Sequence, residues 1–169
     1  MSEAEERKMP DFVFEGQDAA ARVESDFVLG FLSALFWVGA DHLPEGTGYH
    51  DLHPESLETI RADCEAWAVR HKELLDMACG PMTGYSEIRA GVDYFLTRDG
   101  QGSGFWDREE LARDMARRGD GTLTDTGEEE GLPFLDSLGG LLTAAAPYRD
   151  THVFMDGGAV RVLFGQQAR

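Results

Sequence analysis

The chemically able side chains of this 169-residue chain are five histidines, two cysteines and a large surplus of carboxylates. His42, His50 and His53 share one stretch with Asp41 and Asp51, and imidazole and carboxylate can both ligate transition metals. Their spacing fits no closed zinc motif and no cysteine accompanies them, so they read as solvated loop histidines. His71 and Cys64 lie on one helical stripe, two turns apart. At about 1.5 Å rise per residue that is roughly 10 Å, too far for a thiol and its base. No Ser-centred nucleophile elbow and no His-Glu-x-x-His occurs. No catalytic residue, cofactor or metal is therefore assigned, and the chain reads away from an enzyme.

Gly100-x-Gly102-x-Gly104 invites a phosphate-loop reading, but that needs a helix N-terminus after the glycines. Phe105-Trp106 follows instead, and a hairpin turn is the expectation. A sharper alternative is calcium. Asp99, Gln101, Ser103, Gly104, Phe105, Asp107 and Glu110 occupy the ligand and glycine positions of an EF-hand-like loop at 99–110. Against it stand Gln101 in an acidic position, the bulk of Trp106 and the lack of a paired second loop. A calcium-binding module, or a small enzyme of unrecognised class, is the alternative to a binding protein.

Acidity is the stronger signal. Fifteen basic against 32 acidic groups give −17 at pH 7, with −11 in residues 1–80 and −6 in 81–169. Direct binding to nucleic acid or to an anionic membrane surface needs the opposite sign. A protein with a basic surface is the partner this charge suits, and rows of carboxylates can imitate a phosphate backbone in a nucleic-acid-binding cleft. The contact candidates are Glu55, Glu58, Glu65, Glu73 and Asp76 on one helix and Glu128, Glu129 and Glu130 in the 108–133 segment. Phe105 or Trp106, beside arginine, would suit an aromatic anchor.

These residues must be positioned by elements that the pattern predicts. Residues 1–22 read as a loose acidic arm, and 23–169 as one globular domain with 108–133 as an insertion. Val23–Val38 is apolar nearly all round, which predicts a central buried helix capped by Ser25 or Asp26. Its twelve-residue core, Val28–Gly39, is short of the roughly twenty residues a membrane span needs. After a loop over 40–53, Leu57, Ile60, Cys64, Trp67, His71, Leu74 and Ala78 form one stripe and predict a helix over 54–77. A helical turn is expected at Tyr85–Ala90, strands at 93–98 and 104–107, a small helix within Glu109–Arg117 and a helix over Phe134–Ala146. A hairpin of 152–156 and 160–164 about Asp156-Gly157-Gly158 ends the pattern. The expected class is α+β, with N-terminal helices packed on a small antiparallel sheet made of two hairpins. With no signal-like start and two cysteines outside any Cys-x-x-Cys spacing, a cytoplasmic setting is expected.

Ala90-Gly-Val-Asp-Tyr-Phe-Leu-Thr-Arg-Asp-Gly-Gln-Gly-Ser-Gly-Phe-Trp-Asp-Arg108 resembles a segment of a family of small, largely uncharacterised tailed-bacteriophage proteins. That family carries Leu-Thr-Arg-Asn/Asp-Gly-x-Gly-x-Gly-Phe-Trp-Asp-Arg. Phe27–Trp37, Leu52–Leu57 with Asp63-Cys64, and the Leu138–Tyr148 and terminal hairpin segments are similar to the same family. The chain departs from it in the 108–133 segment, and at Glu110, which those proteins usually lack. The resemblance transfers no catalytic residue. It implies a phage or prophage accessory protein acting in the bacterial host cytoplasm, of the kind that inhibits a host enzyme or defence system.

Overall fold

The computed structural model describes residues 21–81, 83–126 and 131–165. Its first helix, α1 (Asp26–Gly39), starts where Ser25 accepts the Val28 N–H at 3.3 Å, and every residue from Phe27 to Phe36 is buried. The helix is thus the central element its composition demands, though it begins later than Val23, which is exposed. Residues 1–20 of the expected arm lie outside the described residues. Ala21 is fully buried and already belongs to the core.

The 40–53 connection contains two 3-10 turns, Ala40–His42 and Tyr49–Asp51. His53 is the N-cap of α2 (Pro54–Arg70): its Nδ1 accepts the Glu55 N–H at 3.1 Å, with Pro54 in the first turn. The single helix expected over 54–77 is broken at His71 (φ −114, ψ 30), after which α3 (Lys72–Ala78) continues. The hydrogen bonds from His71 N–H to Trp67 and from Leu75 N–H to His71 keep the i to i−4 spacing across the break. The apolar period survives, which is why the stripe conceals the kink.

The largest departure is at 93–98, expected as a strand and found inside α4 (Glu87–Asp99). Ser86 caps it through the Arg89 N–H, and Gly100 closes it in the left-handed region (φ 68). Gly100 and Gln101 donate back to Thr97 and Leu96, the paired bonds of a glycine-terminated helix. Asp-Gly serves hairpin turns and helix ends alike, because both need a positive φ. All six residues from Asp93 to Arg98 are buried, so no polar face marks the 3.6 period. The partner expected at 104–107 is a 3-10 turn, Phe105–Asp107.

Glu109–Leu111 forms only one 3-10 turn of the small helix expected there. Downstream, β1 (Asp114–Arg117) is the middle strand between β2 (Leu123–Asp125) and β3 (Phe134–Ser137), all antiparallel. The supposed insertion therefore supplies two strands of a sheet. The helix expected from Phe134 begins at Leu138 instead, as α5 (Leu138–Ala145), with Ser137 capping the Gly140 N–H at 3.0 Å. The terminal hairpin is as expected: β4 (Thr151–Asp156) pairs with β5 (Ala159–Phe164), and Gly157 and Gly158 both have positive φ. The architecture is α+β, with two small sheets where one sheet of two hairpins was expected.

One continuous apolar cluster runs from Ala21 to Val162. Trp67 is its hub, with ring centroids 4.4 Å from Tyr94, 5.8 Å from Phe27 and 5.8 Å from Phe105. Its indole N–H donates to the Ala145 carbonyl at 3.1 Å, tying α2 to α5. α1 and α4 touch backbone to backbone. A Cβ on Gly30 would sit 1.9 Å from the Ile88 carbonyl oxygen, and one on Gly91 would sit 2.0 Å from that of Phe27.

Helix propensity alone makes Gly→Ala stabilising by about 1 kcal/mol. At this crossing the sign reverses, because the helices must separate to admit the methyl. Gly30→Ala and Gly91→Ala are each expected to lose about 1–3 kcal/mol or more in urea unfolding, whereas Gly119→Ala, with open space around its Cβ position, should change little.

Candidate functional site

The glycine- and aromatic-rich segment Ala90–Arg108 buries two of its charges, Asp93 and Arg98. Arg98 is 0% exposed and donates to Asp63 Oδ2 at 2.6 Å, an oxygen it shares with the Tyr94 hydroxyl at 2.8 Å. Its guanidinium carbon lies 4.1 Å from the Phe164 ring centroid, a cation–π contact made away from water. Asp93, also buried, accepts Arg108 Nη2 at 2.6 Å and the Tyr85 hydroxyl at 2.5 Å. Arg108 thus finds its partner within the segment. Arg98 reaches across to α2 instead, and no spacing within the motif signals Asp63. Thr97 Oγ1 accepts the Phe105 N–H at 3.2 Å, and a Cβ on Gly104 would collide with that same oxygen at 2.1 Å. The motif is an internal brace.

The calcium alternative loses its donors. Glu110 pairs with Arg89 at 2.7 Å, Asp99 Oδ1 accepts the Thr151 N–H at 2.7 Å, and Asp107 accepts the Ser103 hydroxyl at 3.1 Å. Among the described residues no three His, Cys, Asp or Glu side chains gather as a metal-holding group. His42 is exposed, His50 lies 3.2 Å from Asp51, and His53 caps α2. His71 lies tilted against Trp67 with ring centroids 5.1 Å apart, and burial and the neighbouring Arg70 lower its pKa. Burial pushes the Cys64 thiol up strongly and the Cys79 thiol to about 11, so neither is a ready nucleophile.

What the fold does open is a groove of about 470 Å³ between the start of α1, the outer face of α2, α3 and the first turn of α4. Its floor is apolar, made by Phe27, Val28, Ala68 and Leu75. Val69, at 69% exposure, extends the apolar surface into solvent. Four carboxylates and two cations ring it. Glu24 is held by Arg61, and Asp76 by Lys72, so those charges cancel. Glu65 and Glu87 have no ionic partner among the described residues and leave the rim negative.

The expected contact residues divide accordingly. Glu65 and Asp76 come together at this rim. Glu55, Glu58 and Glu73 are turned to Arg161, Arg61 and Arg117 at 3.1, 3.5 and 3.5 Å. Phe105 is fully buried and presents no surface, which corrects its place among the candidates; Trp106 is 48% exposed. Glu128, Glu129 and Glu130 lie outside the described residues. Glu87 and Val69 escape a reading from spacing. The one signal is Val69 itself, an apolar residue off the α2 stripe.

No family model matches the chain, and neither a curated protein nor a solved structure matches it significantly. Among the described residues no helix is long and apolar enough to cross a membrane.

Glu24 closes one end of the groove. Burial opposes its charge, but hydrogen bonds from Arg61 and Tyr49, with the charge of Arg61, outweigh this and hold its pKa below the usual 4.5. A depressed folded pKa means stability that is present above 4.5 and lost as pH falls through the folded value. Glu24→Gln should therefore unfold at lower urea than the parent at pH 7. The gap should narrow as pH drops below 4.5, as followed by urea melts across pH.

Proposed function

We propose that this chain is a phage or prophage accessory protein without enzymatic activity, which acts by binding a basic host protein. The observation that carries the reading is the groove: an apolar floor under a rim whose surplus charge, at Glu65 and Glu87, is negative. Such a site suits a segment that presents one or two apolar side chains flanked by lysine or arginine, for instance an amphipathic helix of the partner. Apolar contact would supply affinity, and the −17 charge would steer the encounter. The phage setting rests on the resemblance of Ala90–Arg108. Inhibition of a host defence or nucleic-acid-handling protein is the class of action that setting suggests.

Imitation of a nucleic acid draws less support. Such imitation needs unpaired carboxylates in rows, and on α2 Glu55 and Glu58 already face arginines, as does Glu73 on α3.

The test is a calorimetric titration of the full chain with an amphipathic Leu/Lys peptide and with its Leu/Glu counterpart. The Leu/Lys peptide should bind and the Leu/Glu peptide should not. Glu65→Lys with Glu87→Lys should weaken binding about fivefold, as expected for two exposed charges, and Val69→Asp should weaken it further. Raising salt should reduce affinity, since exposed charges are screened within about 8 Å at physiological ionic strength. Capture of a host-lysate protein that survives both substitutions would place the partner surface elsewhere. Equal binding of both peptides would remove the reading.

A further inference from the structure

The two edges of the terminal hairpin are treated differently by the fold. In a hairpin with a two-residue turn the closing pair, here Asp156 and Ala159, exchanges both backbone hydrogen bonds. Alternation then turns the N–H and C=O groups of His152, Phe154 and Asp156 toward β5, and those of Thr151, Val153 and Met155 away from it. On β5 the outward groups are covered: the His53 N–H donates to the Val160 carbonyl at 2.9 Å, and the Val162 N–H donates to Ser56 Oγ at 3.0 Å. On β4 only the Thr151 N–H is covered, by Asp99 Oδ1 at 2.7 Å. The outward amides and carbonyls of Val153 and Met155 have no partner among the described residues.

Edge strands that stay solitary are blunted by proline, lysine, a bulge or an inward charge. β4 (Thr-His-Val-Phe-Met-Asp) has none of these, and its register with β5 is regular over all six residues. On the outer face of the hairpin, Phe154 of β4 is 38% and Leu163 of β5 is 58% exposed, beside His152, Asp156 and Arg161.

Its sequence is complementary to itself. Laid antiparallel to a second copy about a twofold axis at Phe154, Val153 stands opposite Met155 of that copy, so both sets of outward groups are satisfied. His152 then faces the second copy's Asp156, once on each side of the axis, and Phe154 faces Phe154 at the close, non-hydrogen-bonded spacing. The register keeps inner faces with inner faces. Charge permits the approach here: residues 147–165 hold two arginines and two aspartates, a neutral stretch in a chain of −17.

We infer that β4 is a homodimer edge, pairing with β4 of a second copy into a four-stranded antiparallel sheet. The contact uses no residue of the groove, so it stands or falls apart from the function proposed above.

Sedimentation equilibrium of the full chain should give twice the 18.7 kDa chain mass, with dimer strengthened by salt because two acidic bodies approach each other. Met155→Pro removes an outward N–H from each copy and should raise the dimer dissociation constant about tenfold. Its circular dichroism should match the parent. His152→Asp should do the same by placing like charges opposite, and adding Asp156→His should restore the dimer. Under mild oxidation Phe154→Cys should cross-link to itself, since its facing Cα atoms would be about 4.5 Å apart. His152→Cys, four strand positions from its own copy, should not. A monomer at every concentration and salt would overturn the inference. So would a dimer indifferent to these changes, or cross-linking through His152→Cys rather than Phe154→Cys.

Discussion

The fold depends on one close approach, where α1 and α4 meet at Gly30 and Gly91 with no side chain between their backbones. That contact lets two helices buried nearly all round share a single thin layer of aromatic rings. Phe27 and Phe31 reach Tyr94 at 5.4 and 5.9 Å, and Phe31 meets Phe95 edge-on at 5.2 Å. Wider separation would leave voids along that row, and dense packing is where an interior gains its last increments of stability. Trp67 then fits over Tyr94, and α2 and α5 are fixed in turn through the indole N–H.

Helices this close bring their polar groups inside as well. Asp93 and Arg98 sit on a helix with hardly any solvent face, so each needs a partner from elsewhere. Arg108 and Tyr85 supply it for Asp93, and Asp63 with the Phe164 ring supplies it for Arg98. A buried ion pair of this kind adds little net stability over an apolar replacement, yet losing one member strands the other. The result is orientation. Arg108 holds the Phe105 turn against α4, and Arg98 holds α2 and the terminal hairpin against the same helix. The charged pair Asp93 and Arg98, with Thr97 and Phe105, thus gives the long motif partners internal to the fold.

How much of this the chain discloses in advance follows from which residues keep a polar face. α1 and α2 are legible because a cap and an apolar pattern coincide at Ser25 and at His53-Pro54, and the hairpin because Gly157-Gly158 sits between alternating segments. α4 is not, since Asp93–Arg98 has no exposed side to reveal its period and Asp99-Gly100 reads equally as a turn. The start of α5 is hidden for the opposite reason. Phe134 and Leu135 prolong its apolar pattern although they are exposed strand residues of β3, and only Ser137 marks the cap. The groove is half legible: Glu65 and Asp76 are visible as acids on the outer faces of α2 and α3. That Glu87 joins them depends on where α4 begins, and α4 is the element the pattern conceals.

Charge is distributed with the same logic. Near the interior, acids are matched by arginines: Glu24 by Arg61, Asp63 by Arg98, Asp93 by Arg108 and Glu110 by Arg89. Arginine suits these places because it stays protonated and its planar fork reaches two acceptors, as Arg61, Arg89 and Arg108 do. Arg98 gives Asp63 one hydrogen bond and lies against the Phe164 ring. The single lysine among the described residues, Lys72, is exposed and pairs with Asp76 one helical turn on. With these four arginines matched to inner carboxylates, acids left without an ionic partner among the described residues, such as Glu65 and Glu87, are exposed. Two surfaces interrupt that charge: the apolar floor of the groove, and the outer face of the β4–β5 hairpin, where Phe154 and Leu163 lie among His152, Asp156 and Arg161. Elsewhere an acidic coat keeps copies apart, so attractive contact is confined to places where that coat is interrupted.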